Sequence, residues 1–359
     1  VEGALSHIRV VMEGKNGWRL VAAALASVPQ THRNVSKTVL AKTLEDGVLP
    51  QKMEGWLTLG GVALRLEDRA LYSHLAQAAA VRFPQEARAL LWVAEDALSR
   101  EDDVAARKAI DAALLLPDLT NSERLNIAAH LNELGDAAAA AASLEILADD
   151  DRALAARAAY LVQANDTKSL RALYSKLVVA TPPDGAASVR LMLLGQLAEM
   201  QEDARSAMSW YRQIKGGVQQ DQAKIRIAIL QDQLGERDNA IASLREIQTS
   251  DSEWVDIVRD AYLVEAELVR SSGDAMAEIA VLDRGLMVFE DDSSLRYGRA
   301  LAYERVDRVD EAIADLRSLV SLNPEEADFL NALGYTLVDR TERLEEGLFY
   351  INKALALQP

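Results

Sequence analysis

The sequence predicts an all-α protein, a solenoid of antiparallel helix pairs stacked one after another. Half of the 359 residues are hydrophobic and only 5% are aromatic, while 8 Pro and 18 Gly are too few for the many turns of an all-β fold. Ala and Leu dominate, and β-branched runs are few. Above all, small residues recur at a nearly constant interval, which is the signature of a repeat array. Length alone suggests two or three globular domains. The repeat replaces that count.

Residues 1–52 are the first element. They are apolar and helical in pattern (Ile8, Val10 and Val11, then Trp18 to Val28) but lack the recurring residues, so two or three helices capping or preceding the array are expected. They hold seven Lys/Arg against four Asp/Glu, a local +3, which keeps a docking arm as the alternative reading.

The array occupies residues 53–359. It opens with Trp56-Leu57-Thr58-Leu59-Gly60, then Ala63, Ala79 and Pro84. The phrase restarts at Leu191-Met192-Leu193-Leu194-Gly195. It returns at Leu330-Asn331-Ala332-Leu333-Gly334-Tyr335, followed by Ala354-Leu355-Ala356-Leu357-Gln358-Pro359. An aromatic, a Leu-Gly three residues on, later small residues and a closing Pro resemble the tetratricopeptide repeat (TPR). The resemblance implies a right-handed TPR-type α-solenoid superhelix of antiparallel helix pairs.

With the Leu-Gly glycine as marker, equivalent positions fall at Gly60, Val93, Ala128, Ala158, Gly195, Ala228, Ala266, Ala300 and Gly334, in steps of 33, 35, 30, 37, 33, 38, 34 and 34 residues. Companions twelve or thirteen residues on are Tyr72, Ala105, Ala140, Leu170, Ala207, Ala240, Glu278, Ala312 and Gly347. About nine repeats result. A small residue where two helices cross lets their backbones approach to the short end of the usual ~8–10 Å. Pro84, Pro117, Pro182, Pro324 and Pro359 mark where second helices stop. Gly135, Gly235 and Gly273 suit left-handed caps inside repeats. The turn Pro182-Pro183-Asp184-Gly185 is the expected bend or sub-array boundary, and Ala137 to Ala142 is read as a run of strong helix formers.

Composition excludes several functions. With no Cys there is no disulfide, no thiolate zinc site and no thiol nucleophile. No apolar run approaches the ~20 residues of a transmembrane helix. A net charge of −17 disfavours nucleic acid. That charge is uneven: residues 181–359 hold 19 Lys/Arg against 33 Asp/Glu, a local −14. The phrases HExxH, GxSxG and GxGxxG and the Walker-type loop do not occur, so neither catalysis nor a cofactor is expected. His130 and Glu133 share a helix face, but with no second His pair a surface contact is expected rather than a metal. The acidic runs Glu101-Asp102-Asp103, Asp149-Asp150-Asp151, Glu290-Asp291-Asp292 and Glu325-Glu326 read as helix caps.

What remains is surface. Side chains near the markers on first helices are expected to line a concave groove. In repeats one and two these are Leu57, Leu64, Leu90 and Ala94. In later repeats they are Asn132, Glu133, Gln163, Gln196, Glu199, Asp232, Gln233, Glu267, Arg270, Glu304, Arg305, Asn331 and Tyr335. An apolar entrance to a Gln/Glu-rich channel suits a peptide or partner helix, with charge choosing a basic partner. Reversing Glu199, Asp232 and Glu267 is expected to weaken that partner and leave the fold intact.

The last repeats carry a narrower resemblance. Tyr297-Gly298-Arg299-Ala300-Leu301-Ala302-Tyr303-Glu304-Arg305, Asp310-Glu311-Ala312-Ile313-Ala314-Asp315-Leu316-Arg317 and Leu330 through Thr341 are similar to repeats of Gram-negative outer-membrane TPR lipoproteins. In that family an Asp-Arg-Thr insertion lengthens one loop, and Asp339-Arg340-Thr341 matches it. The resemblance implies a periplasm-facing, non-enzymatic adaptor anchored to the membrane only by lipid. Its implied partners are a carboxyl-terminal-processing serine protease, which it binds and activates, and the peptidoglycan hydrolase substrates it presents. A scaffold for envelope assembly, synthesis or export is the alternative. The sequence starts at Val1 with no signal or lipidated Cys, and the array is read as cut inside its length at Pro359.

Overall fold

Helix pairs account for the described chain from Met53 to Leu357. The computed structural model describes residues 34, 36–38, 40–41, 50–182, 185–250 and 254–358, and among them every regular element is a helix. Two compact units divide between Leu173 and Tyr174.

The first unit holds α1 (Met53–Arg65) with α2 (Arg69–Arg82), α3 (Ala87–Leu98) with α4 (Asp103–Leu114), α5 (Asn121–Glu133) with α6 (Ala137–Ser143), and α7 (Asp151–Gln163). The division falls within α8 (Thr167–Ala180), ahead of the turn at Pro182; Pro183 and Asp184 lie outside the described residues. The second unit holds α9 (Ser188–Glu199) with α10 (Ala204–Tyr211), α11 (Gly217–Gln233) with α12 (Arg237–Gln248), and α13 (Val255–Ser271) with α14 (Ala275–Val288). It continues with α15 (Ser293–Arg305) and α16 (Val309–Leu322), then α17 (Ala327–Arg340) and α18 (Leu344–Leu357). Of residues 1–52, the helical positions 34, 36–38 and 40–41 are described; Leu40 is fully buried in the first core cluster, and Lys37 Nζ donates to the Glu67 carbonyl. The other expected helices of that head, and Pro359, lie outside the described residues.

Every marker sits in a first helix, every companion in a second, and all nine markers are buried. One register is corrected. In repeat two the equivalent pair is Ala94 and Ala106, both fully buried, one residue beyond Val93 and Ala105. Pro117 follows Ala94 by 23 residues where Pro84 follows Gly60 by 24, so phasing on the prolines slips by one. The marker is then Gly or Ala throughout. The 30-residue step has its own cause, since α6 stops after seven residues despite its alanines.

The turn inside each repeat explains the regular pairing. Seven residues after the marker the backbone is left-handed at Glu67, Glu101, Gly135, Asn165, Glu202, Gly235, Gly273 and Asp307, with φ between 55° and 83°. The next residue closes the turn by donating its N–H five residues back, as Asp68 does to Ala63 and Asp136 to Leu131, both at 2.9 Å. Its side chain then caps the second helix: Asp68, Asp102, Asp136, Asp166, Asp203 and Asp274 each accept from the backbone N–H three residues on. Of the acidic runs, Asp102, Asp150 and Asp292 cap helices as expected, while Glu326 makes no capping bond. Repeat nine differs. Thr341 is extended, and the turn is one residue longer.

The glycine markers differ in purpose. At Gly334 an added Cβ would lie 2.8 Å from the Gly347 carbonyl oxygen and 2.9 Å from the Ile351 nitrogen, so these backbones do touch. At Gly60 and Gly195 the space is filled instead by the rings of Trp92 and Tyr211.

Junctions between repeats carry a second pattern. One residue before the marker, first helices carry Leu59, Val93, Ile127, Leu194, Ile227 or Leu333. Arg157, Glu265 and Arg299 replace them in three repeats. Arg157 pairs with Glu145 at 3.2 Å, Glu265 with Arg245 at 2.9 Å, and Arg299 with Asp283 at 2.7 Å. Each partner lies seventeen residues after the preceding marker. The register is constant while the sign of the pair inverts.

Candidate functional site

Within each unit the first helices form the tighter side of the stack. Successive ones touch, α3 with α5 and α5 with α7 in the first unit, and α9 with α11, α11 with α13 and α13 with α15 in the second. Among the described residues no two successive second helices meet to that extent. The exposed residues of first helices concentrate on one stripe, six and three residues before the marker and one, four and five after it.

Leu57, Leu64, Asn132, Glu133, Gln163, Gln196, Glu199, Asp232, Gln233, Glu267, Arg270, Glu304, Arg305, Asn331 and Tyr335 all fall on this stripe. Leu90 does not. The corrected register puts it where Trp56 stands in repeat one, half-buried against the first core cluster, and Leu91 in the place of Leu57 is buried. Ala94 is a buried marker rather than a groove residue.

In the first unit the stripe is a shallow apolar trough. Its floor, one residue after each marker, is Gly61, Glu95, Ala129 and Ala159. One wall is Leu57 and Ala155, with Leu91 buried between them and Leu125 half-buried against the first core cluster; the other is Leu64, Leu98, Asn132 and Val162. Leu57, Leu64 and Val162 are each more than a third exposed. Along one rim Glu54 and Arg88 pair across adjacent repeats at 3.1 Å. The sequence reading missed Leu98, Leu125, Ala129, Ala159 and Val162, because the groove was expected to turn polar at repeat three.

In the second unit the floor positions are filled by Gln196, Ile229, Glu267, Leu301 and Tyr335, and the carboxylates are matched within the chain. Glu199 accepts from the Tyr211 hydroxyl at 2.5 Å and from Arg226 Nε at 3.1 Å. Burial, then the Glu199 carboxylate, push the Tyr211 hydroxyl well above its ordinary pKa. Asp232 pairs with Arg237 at 2.5 Å, Glu267 accepts from Arg270 Nε at 2.7 Å, and Arg305 reaches buried Glu278 at 2.6 Å. The bond from Arg270 holds the Glu267 carboxyl below the usual range. Glu304 accepts from the Thr336 hydroxyl.

These matches correct the idea that Glu199 can be reversed without cost to the fold, since reversal strands both Tyr211 and Arg226. Exposed carboxylates stand instead on the inter-repeat turns, at Glu290-Asp291 and Glu325-Glu326. His130 Nδ1 lies 3.7 Å from Glu133, and among the described residues no three His, Asp or Glu gather as a metal site. Nor is any described helix long and apolar enough to cross a membrane.

Part of the chain matches a known repeat family. Residues 293–326 match the tetratricopeptide repeat family model. A TPR repeat-containing protein of Pseudomonas aeruginosa, PA4667, is 33% identical over 166 residues, 46% of this chain and 28% of the relative. The match thus spans little more than a quarter of that relative's length. Among solved structures, a crystal structure of MamA aligns with 46% of this chain and 94% of its own at 19% identity and a TM-score of 0.36. MamA from Desulfovibrio magneticus RS-1 aligns with 48% and 96% at 16% identity and a TM-score of 0.37. The chain is a solenoid of TPR-like helix pairs, an architecture that mediates protein–protein interaction.

Proposed function

We propose that this TPR-like array is a periplasm-facing adaptor, which binds and activates a carboxyl-terminal-processing serine protease and presents peptidoglycan hydrolases to it. One observation carries the scaffold part: within each unit an exposed stripe recurs at the same offsets on the first helices and offers many modest contacts rather than one enclosed pocket. The protease and envelope setting rest on the resemblance of residues 290–359 to outer-membrane TPR lipoproteins and on the longer turn at Thr341, while the Pseudomonas relative supports the repeat alone. The adaptor itself needs no chemistry. Holding enzyme and substrate on one surface raises their effective concentration.

The test is affinity capture from native envelope, followed by mass spectrometry of the bound set. A periplasmic protease and a peptidoglycan hydrolase that depend on this chain for association are the expected result. Capture of synthesis or export components alone would replace the adaptor reading by the assembly-scaffold one.

A further inference from the structure

The trough on the first unit has dimensions and chemistry that select its occupant. Its walls stand three residues before and four residues after the marker, seven residues apart on each first helix, or about 10 Å at 1.5 Å per residue. That spacing lets an α-helix, about 10–12 Å across with its side chains, lie along the trough and rest on both walls. An extended strand, with neighbours ~5 Å apart, leaves half of it open.

Along its length, packed first helices follow one another at ~8–10 Å. Seven residues of a guest helix rise by about the same distance. One guest turn therefore meets Leu57 and Leu64, another Leu98, and a last Val162. The floor carries one charge, the exposed carboxylate of Glu95, which faces the Tyr72 hydroxyl and to which no cation is bonded among the described residues. An all-aliphatic guest would cover that charge with no cation beside it, at a cost that a cation on the guest removes.

We infer that this trough docks an amphipathic α-helix of a protein partner, with aliphatic residues at seven-residue spacing and one Lys or Arg set against Glu95. The inference rests on the scaffold reading and adds its partner's chemistry and place. In the second unit the same floor is occupied by larger side chains and the carboxylates are already paired, so the site is confined to the first four repeats.

The test uses the whole 359-residue chain and fluorescein-labelled amphipathic helices of about 21 residues, stapled to hold the helix, carrying Leu at seven-residue spacing and either Lys or Glu in the second heptad. Fluorescence anisotropy should show the Lys helix binding the parent, with Leu64→Asp weakening it about tenfold or more. Glu95→Lys should lose the Lys helix and gain the Glu helix, a swap of preference that a general loss of structure cannot produce. Melting curves confirm that both variants fold. The inference is overturned if the Lys helix does not bind the parent, if neither variant moves its affinity, or if Glu95→Lys leaves the preference unchanged. Partners captured from envelope that crosslink only to the second unit would also overturn it, and would leave the scaffold reading standing.

Discussion

Glu265 is fully buried on α13, where most first helices carry Leu, Ile or Val, and receives a 2.9 Å hydrogen bond from Arg245 Nε on α12. Arg284 from α14 and Gln248 from α12 complete its shell at 2.8 and 2.7 Å. One carboxylate therefore ties three helices of consecutive repeats. Arg299 does the same with inverted sign, joining Asp283 on α14 to Asp315 on α16.

Removing different sides of this cluster should have unequal effects. Arg245 and Arg284 are both well exposed and can turn to water once the carboxylate is gone, whereas Glu265 cannot. Glu265→Leu should therefore lie within about 1 kcal/mol of the parent in urea unfolding, while the Arg245→Leu, Arg284→Leu double variant should lose about 3–5 kcal/mol. Equal losses would mean the pair is not held as described.

Two glycine substitutions separate crowding from propensity. Gly334→Ala drives a methyl into backbone atoms of α18 and should cost about 1–3 kcal/mol. Gly61→Ala meets nothing within 4 Å and should be neutral or gain up to about 1 kcal/mol of helix propensity. Matching thermal melts for both would show that α17 and α18 do not approach as closely as Gly334 and Gly347 indicate.

The left-handed turns make a third prediction. Glu101 holds φ 57° without being glycine, so Glu101→Gly should stabilise by roughly 0.5–1 kcal/mol. Asp102→Ala, one residue on, removes the cap on Ala105 and should destabilise by about 1 kcal/mol. Opposite signs from adjacent residues are the measurable signature.

Acid stability follows from the same caps. Asp136 is held below the usual carboxylate range, first by the Ala139 N–H and then by Arg107. Asp150 is held down first by the Ala153 N–H and then by Asn121. A folded pKa below the unfolded one stabilises at neutral pH, and that contribution is lost as pH falls through the carboxylate range toward the folded value. Asp136→Asn should therefore flatten the pH dependence of the melting temperature below about pH 5 and leave it unchanged at pH 7 and above.

The all-helical solenoid and its helix pairing were legible in the sequence, because small markers and turn glycines report directly on packing and on left-handed caps. Three things were not. Repeat two slipped by one residue because its proline spacing is shorter; the row of capping aspartates at Asp68, Asp102, Asp136, Asp166 and Asp203 would have set the phase correctly, as it lies eight residues after each marker. The pairing of Glu199, Asp232 and Glu267 depends on Arg226, Arg237 and Arg270, whose reach is decided by rotamers rather than by spacing. The apolar trough was concealed because Leu98 and Val162 look like core residues until burial shows which side they face.

The central claim is that partners dock on the first-helix stripe. Site-specific photocrosslinking in the native envelope tests it most directly, with the photoreactive residue at Leu64 or Tyr335 on the stripe and at Val81 or Met287, both highly exposed on second helices, off it. The account predicts protein adducts from at least one stripe position and none from Val81 or Met287. Adducts from Val81 or Met287 alone would contradict it.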